Sequence, residues 1–122
     1  MGKHVLLIED EPNIAEAIRF ILERDGWQVS THADGQDAVR VVREAGPDVL
    51  VLDVMLPNRS GFDILRELRA DAALSALPVL MLTAKGQSRD REQAEACGVN
   101  CFMTKPFSNQ EVLATVRALS GG

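Results

Sequence analysis

DVLVLDVMLP, residues 48–57, is the stretch on which the reading of this chain turns. Asp48–Leu52 is apolar almost without a break, the pattern of a strand buried on both faces rather than one with a wet side. It predicts a central strand that delivers Asp53 at its carboxyl end, before a turn closed by Pro57. HVLLI at His4–Ile8 and PVLML at Pro78–Leu82 repeat the pattern, the second ending on Thr83. Shorter strands are predicted at Trp27–Thr31 and Asn100–Thr104.

Helical spacing fills the intervals. Pro12 suits a first helical turn, where its missing N–H costs nothing, and Ile14, Ala17, Ile18, Ile21 and Leu22 follow before Gly26 stops the helix. Ala38, Val39, Val41 and Val42 mark a second helix, closed by Gly46-Pro47. Ser60 caps a third that carries Ile64, Leu65 and Leu68. Ser88–Cys97 reads as a polar helix anchored mainly by Ala94 and Cys97, and such a thinly anchored helix is expected to have low local stability. Ser108-Asn-Gln-Glu111 is a capping box ahead of Val112, Leu113, Val116 and Leu119. Strands buried on both faces and alternating with helices imply an α/β, doubly wound parallel sheet of five strands and five helices. Right-handed crossovers favour the flavodoxin-like order 2-1-3-4-5.

At 122 residues the chain suits one domain, 1–122, and its formal net charge of −5 without a basic block argues against direct nucleic-acid binding. The apolar runs are too short to span a bilayer, so no membrane partner is expected, and the cytoplasm is the default location. Cys97 and Cys101 have no second pair or adjacent histidines and read as small buried side chains; His4 and His32 stand apart.

Functional groups in such a sheet gather beyond the carboxyl ends of the strands, where strand order reverses. There the order brings Glu9, Asp10 and Asp53 together, with Thr83 and Lys105 arriving from strands four and five. Clustered carboxylates repel unless a cation is present, and Mg²⁺ favours a partial, hydrated shell of oxygens. A metal and an ammonium to share phosphoryl charge, a hydroxyl to donate, and a free carboxylate to attack phosphorus suit phosphoryl transfer. Asp53 is the candidate phosphoacceptor, Asp10 a direct metal ligand, Glu9 a water-mediated one, and the Met55 carbonyl a further oxygen.

Glu9-Asp10-Glu11-Pro12, VLVLDVMLP to Pro57, LTA at Leu82–Ala84 and KPF at Lys105–Phe107, in this order and spacing, resemble a bacterial response regulator receiver domain. The resemblance spans essentially the whole chain and includes chemotaxis-regulator-like members. It implies that Asp53 takes a phosphoryl group from the phosphohistidine of a sensor kinase or phosphotransfer protein, with Mg²⁺ bound. It also implies a cis peptide between Lys105 and Pro106, movement of Thr83 toward the phosphoryl group, and an inward turn of the aromatic Phe102. The output surface would be the fourth helix, fifth strand and fifth helix, read by a downstream protein target or an effector domain. Met55 and Lys85 would line the path of attacking water. DVMLP is similar to receivers of winged-helix transcription factors, but the acidic pair those carry before the strand-five aromatic is replaced by Asn100-Cys101, and Gln93 stands for their arginine. Dimerisation through that face is left open.

Simpler readings exist for each residue: a turn at Asp53, a helix cap at Thr83, an exposed strand exit at Lys105, a solvated acidic loop at Glu9–Glu11. Taken together they require five suited groups to meet at one sheet edge by accident. Arg89-Asp90-Arg91-Glu92 reads as a solvated helix face, and Gly61 and Gly98 as backbone devices. Two rival functions differ in class. One is a Mg²⁺-dependent phosphatase with an aspartate nucleophile, disfavoured because the best-known examples place that nucleophile after the first strand in a D-x-D pattern. The other is a pseudo-receiver that binds partners and is never phosphorylated.

Overall fold

The computed structural model describes residues 3–83 and 88–121. Its elements are β1 (His4–Ile8), α1 (Pro12–Arg24), β2 (Gln28–His32), α2 (Ala38–Ala45), β3 (Val49–Asp53), α3 (Gly61–Ala70), β4 (Val79–Thr83), α4 (Ser88–Ala96), β5 (Cys101–Thr104) and α5 (Asn109–Leu119). The five strands form one sheet in the order β2-β1-β3-β4-β5, and every pairing is parallel.

Side-chain alternation along the central strands sorts the core into two layers. Leu6, Ile8, Leu50, Leu52 and Met81 face a layer completed by Val39, Val42, Ile64, Leu65, Leu68 and Ala94, which come from α2, α3 and α4. Val5, Leu7, Val49, Val51, Leu80 and Leu82 face Ile18, Leu22, Val112 and Val116 from α1 and α5. Burial on both sides explains why these strands read as continuous apolar runs. Cys97 and Cys101 are free thiols belonging to opposite layers. No helix among the described residues is long and apolar enough to cross a membrane.

Several boundaries differ from the sequence reading by one residue, among them those at Trp27, Asp53 and Asn100. Trp27 is not in β2, because its N–H closes the end of α1 on the Leu22 carbonyl around Gly26, which has φ 95°. Asp53 is the last residue of β3 rather than the first residue beyond it. Asn100 stops short of β5: its Oδ1 accepts the Val79 N–H at 2.8 Å, so a side chain occupies the place of a ladder carbonyl. The same Oδ1 accepts from Arg69, whose guanidinium also donates to the carbonyls of Gly98, Ser75 and Leu77 and so ties α3 to the turns that lead into β4 and β5.

Both helix caps foreseen from sequence form. Ser60 Oγ accepts from the Phe62 and Asp63 amides, and Ser108 and Glu111 satisfy each other's backbone N–H groups at 3.0 Å. Ser108→Ala is therefore expected to cost about 1 kcal/mol, read as a lowered urea midpoint with an unchanged slope. An unaltered midpoint would mean that the α5 cap carries no net stability.

Candidate functional site

The carboxyl ends of β1, β3, β4 and β5 meet at one edge. Register places Ile8 beside Leu52 and Asp53 beside Leu82, so Glu9, Asp53 and Thr83 emerge on adjacent strands. Glu9, Asp53 and Thr83 are buried, at 3%, 2% and 2% exposure, and are the polar or charged side chains enclosed among the described residues. Glu9, Asp10 and Asp53 each offer a carboxylate oxygen within 4.8 Å of the others.

Lys105 enters from beyond β5, with its amide donating to the Thr83 carbonyl at 2.7 Å. Its Nζ donates to Asp53 Oδ2 at 3.5 Å and lies 3.1 Å from Glu9 Oε1, the latter as an ion-pair contact outside hydrogen-bonding geometry. Glu9 Oε2 accepts the Glu11 amide at 3.0 Å. The remaining buried oxygens, Glu9 Oε1 and Asp53 Oδ1, have no hydrogen-bond donor. Burial, and then the Glu9 charge, push the Asp53 carboxyl up to about 7, against the opposing pull of Lys105 and the Met55 amide. Burial alone would lower the Lys105 ammonium, but Glu9 and Asp53 outweigh it and hold Lys105 above its ordinary value. One ammonium does not compensate this group of acids. A buried Asp53 oxygen with no partner, beside a Glu9 oxygen met only by the Lys105 ammonium, in an all-carboxylate donor set fits a hard divalent cation.

Two loops brace Asp53 from behind. A Cβ on Gly61 would stand 2.3 Å from the Asp53 carbonyl oxygen, so α3 begins in direct backbone contact with the site. The β3–α3 loop is clipped to the β2–α2 loop: Gly35 N–H donates to the Pro57 carbonyl, and Asn58 Nδ2 donates to both Asp34 oxygens at 3.0 Å. Asn58 has φ 71°, a left-handed conformation that Asn tolerates better than most residues. Met55 lies in this loop and is 69% exposed. The Lys105-Pro106 peptide bond is cis. Lys85 and Ala84 lie outside the described residues.

The sequence reading missed the role of α4. Its charged run reads as a solvated face, yet Asp90 Oδ2 accepts the Thr83 hydroxyl at 3.3 Å, and the Arg91 guanidinium lies over the Phe102 ring, 5.2 Å from its centroid. No periodic signal marks such contacts, because they join a helix to the strands before and after it.

Comparison with known proteins agrees with this geometry. Residues 5–117 match the response regulator receiver domain family. The probable transcriptional regulatory protein TcrX of Mycobacterium tuberculosis is 45% identical over 94% of this chain and 48% of its own length. The chemotaxis response regulator CheY4 of Vibrio cholerae aligns with a TM-score of 0.90 at 28% identity, covering 98% of this chain and 99% of that one. The receiver domain of the sensor histidine kinase PA1611 from Pseudomonas aeruginosa gives a TM-score of 0.90 at 32% identity, covering 100% of both, and has a magnesium ion coordinated in its active site cleft. The chain spans about half the length of the curated relatives it matches. A doubly wound sheet carrying this acid–lysine–threonine edge, matched over nearly its full span, belongs to the response regulator receiver domain family.

Proposed function

We propose that this chain is a phosphorylation-dependent signalling switch of a two-component system, with Asp53 as the phosphoacceptor. The observation that carries the reading is Asp53 itself: a buried carboxylate with one oxygen unpartnered, at the point where Glu9, Asp10, Thr83 and Lys105 converge. In the reaction an Asp53 oxygen forms a bond to phosphorus as the phosphorus–nitrogen bond of a donor phosphohistidine breaks. Lys105 supplies positive charge to the transferring group, and Thr83 supplies a hydroxyl donor once that group is in place.

Asp10 and Asp53 would hold Mg²⁺ directly with the Met55 carbonyl, and Glu9 through water. Bound there, Mg²⁺ would neutralise charge shared by the carboxylates and the phosphoryl oxygens. Phe102 and the α4–β5–α5 face are the route of output, toward a downstream protein or an effector domain of the kind the longer relatives leave room for. The donor is a sensor histidine kinase or phosphotransfer protein, met in the cytoplasm. The chain turns over its own phosphoryl group rather than an external substrate.

Incubation with acetyl phosphate and Mg²⁺, followed by intact mass, tests this. One phosphoryl adduct is expected in the wild type and none in Asp53→Asn. A wild type that stays unmodified at every Mg²⁺ concentration would leave the pseudo-receiver reading in its place.

A further inference from the structure

We infer that Asp90 on α4 is a positioning residue that holds the Thr83 hydroxyl away from the phosphoryl site, so that phosphorylation must compete with Asp90 for that one proton. This rests on the reading of Asp53 as phosphoacceptor. Thr83 lies at the end of β4, one residue beyond the partner of Asp53 in the sheet, and is 2% exposed, so water has little access to its hydroxyl. Its Oγ1 lies 3.3 Å from Asp90 Oδ2. An ionised carboxylate only accepts, so Thr83 is the donor, and a hydroxyl has a single proton to give. A phosphoryl oxygen on Asp53 is also only an acceptor. Thr83 can therefore serve Asp90 or the phosphoryl group, but not both.

The next residue along the helix makes the contact matter beyond Thr83. Arg91 sits over the ring of Phe102, so the two residues assigned to the switch are held by consecutive positions of one helix. That helix has little else to fix it: Ala94, with Cys97 just past its end, supplies its fully enclosed apolar anchoring among the described residues. Releasing Thr83 removes one of the few ties on this element, and Arg91 moves with Asp90 because they share a turn. The magnitude suits a bias rather than a lock. At 3.3 Å the bond is long for a hydroxyl donor, and a hydrogen bond of ordinary net strength shifts an equilibrium by about 2- to 10-fold. Coupling of this kind is reciprocal: what weakens the Asp90 tie favours the phosphoryl-bound form by the same factor.

The test is titration of the full chain with beryllofluoride in saturating Mg²⁺, followed by backbone amide NMR, with the binding midpoint as readout. Asp90→Ala is expected to lower the midpoint by about 2- to 10-fold. Asp90→Asn, which keeps an acceptor oxygen but no charge, is expected to stay within about twofold of wild type. In a Thr83→Ala background, Asp90→Ala is expected to change nothing further. An unshifted Asp90→Ala midpoint overturns the inference and leaves the Asp53 reading intact. So does an equal shift with Thr83 absent, or an Asn variant that behaves like Ala, since Asp90 would then act through its charge alone. A wild type that does not bind beryllofluoride at all overturns the Asp53 reading, and this inference with it.

Discussion

Gly61→Ala is expected to destabilise the protein by about 2–3 kcal/mol and to cut phosphoryl acceptance at Asp53, although helix propensity argues for the opposite sign. Gly61 is the first residue of α3 and does not have positive φ, so Ala there would ordinarily gain up to about 1 kcal/mol. Space decides against it. The added Cβ would lie 2.3 Å from the Asp53 carbonyl oxygen and 3.0 Å from the Val54 Cα, both main-chain atoms. Neither can swing aside as a side chain would. The Gly61 N–H is also anchored on the Val54 carbonyl at 2.8 Å, so α3 cannot retreat without giving up that bond. Strain must pass into the end of β3, which carries the acceptor. Urea unfolding and acetyl phosphate labelling of the same variant read both effects. Equal or greater stability would mean that the two segments are not held together as tightly as the backbone contact requires.

The same contact shows where the sequence was and was not legible. The order of elements and the sheet topology could be read because strands such as VLVLD and VLMLT are enclosed on both faces, and burial writes itself into composition. Glu9, Asp53, Thr83 and Lys105 could be grouped because each ends or directly follows a strand, and parallel strands end at the same edge. Boundaries were less legible at Trp27 and Asn100, where a helix-closing amide and a ladder-mimicking side chain compete with strand pairing. Contacts between loops left no trace. The Asp34–Asn58 bridge joins residues far apart in the chain, and Asp90 and Arg91 look like any solvated helix face until the fold brings Thr83 and Phe102 beneath them. Gly61 was recognisable as a backbone device, but not as the support directly behind Asp53.

The second large effect concerns charge. In EDTA, Asp53→Asn is expected to stabilise the folded protein at pH 8 by about 2–4 kcal/mol, with the advantage shrinking toward pH 5. The Asp53 carboxyl is raised from 3.8 to about 7, first by burial and then by Glu9. A raised folded-state value means that the folded chain binds this proton more tightly than the unfolded one. The resulting stability is fully present below the unfolded value and is lost as pH rises through about 7, on the order of 1.4 kcal/mol per unit in between. Above that window the wild type folds with a buried charge that Lys105 only partly offsets, whereas Asn carries none. Comparing the variants as a difference removes the other acids, among them Asp25, Asp34, Asp37 and Asp71, whose lowered values withdraw stability only at more acid pH. Lys105, held above its ordinary value, contributes stability that is fully present across this range and is withdrawn only at strongly alkaline pH. Mg²⁺ should reverse the ranking by degrees: it stabilises the wild type as its concentration passes the dissociation constant and does less for Asn, which has lost a charged donor. Thermal unfolding across pH 5–8, with EDTA and then with Mg²⁺, reads all of this. A wild type and Asp53→Asn that keep a constant difference over that range would show that the unpartnered Asp53 oxygen is not the strained member of the cluster.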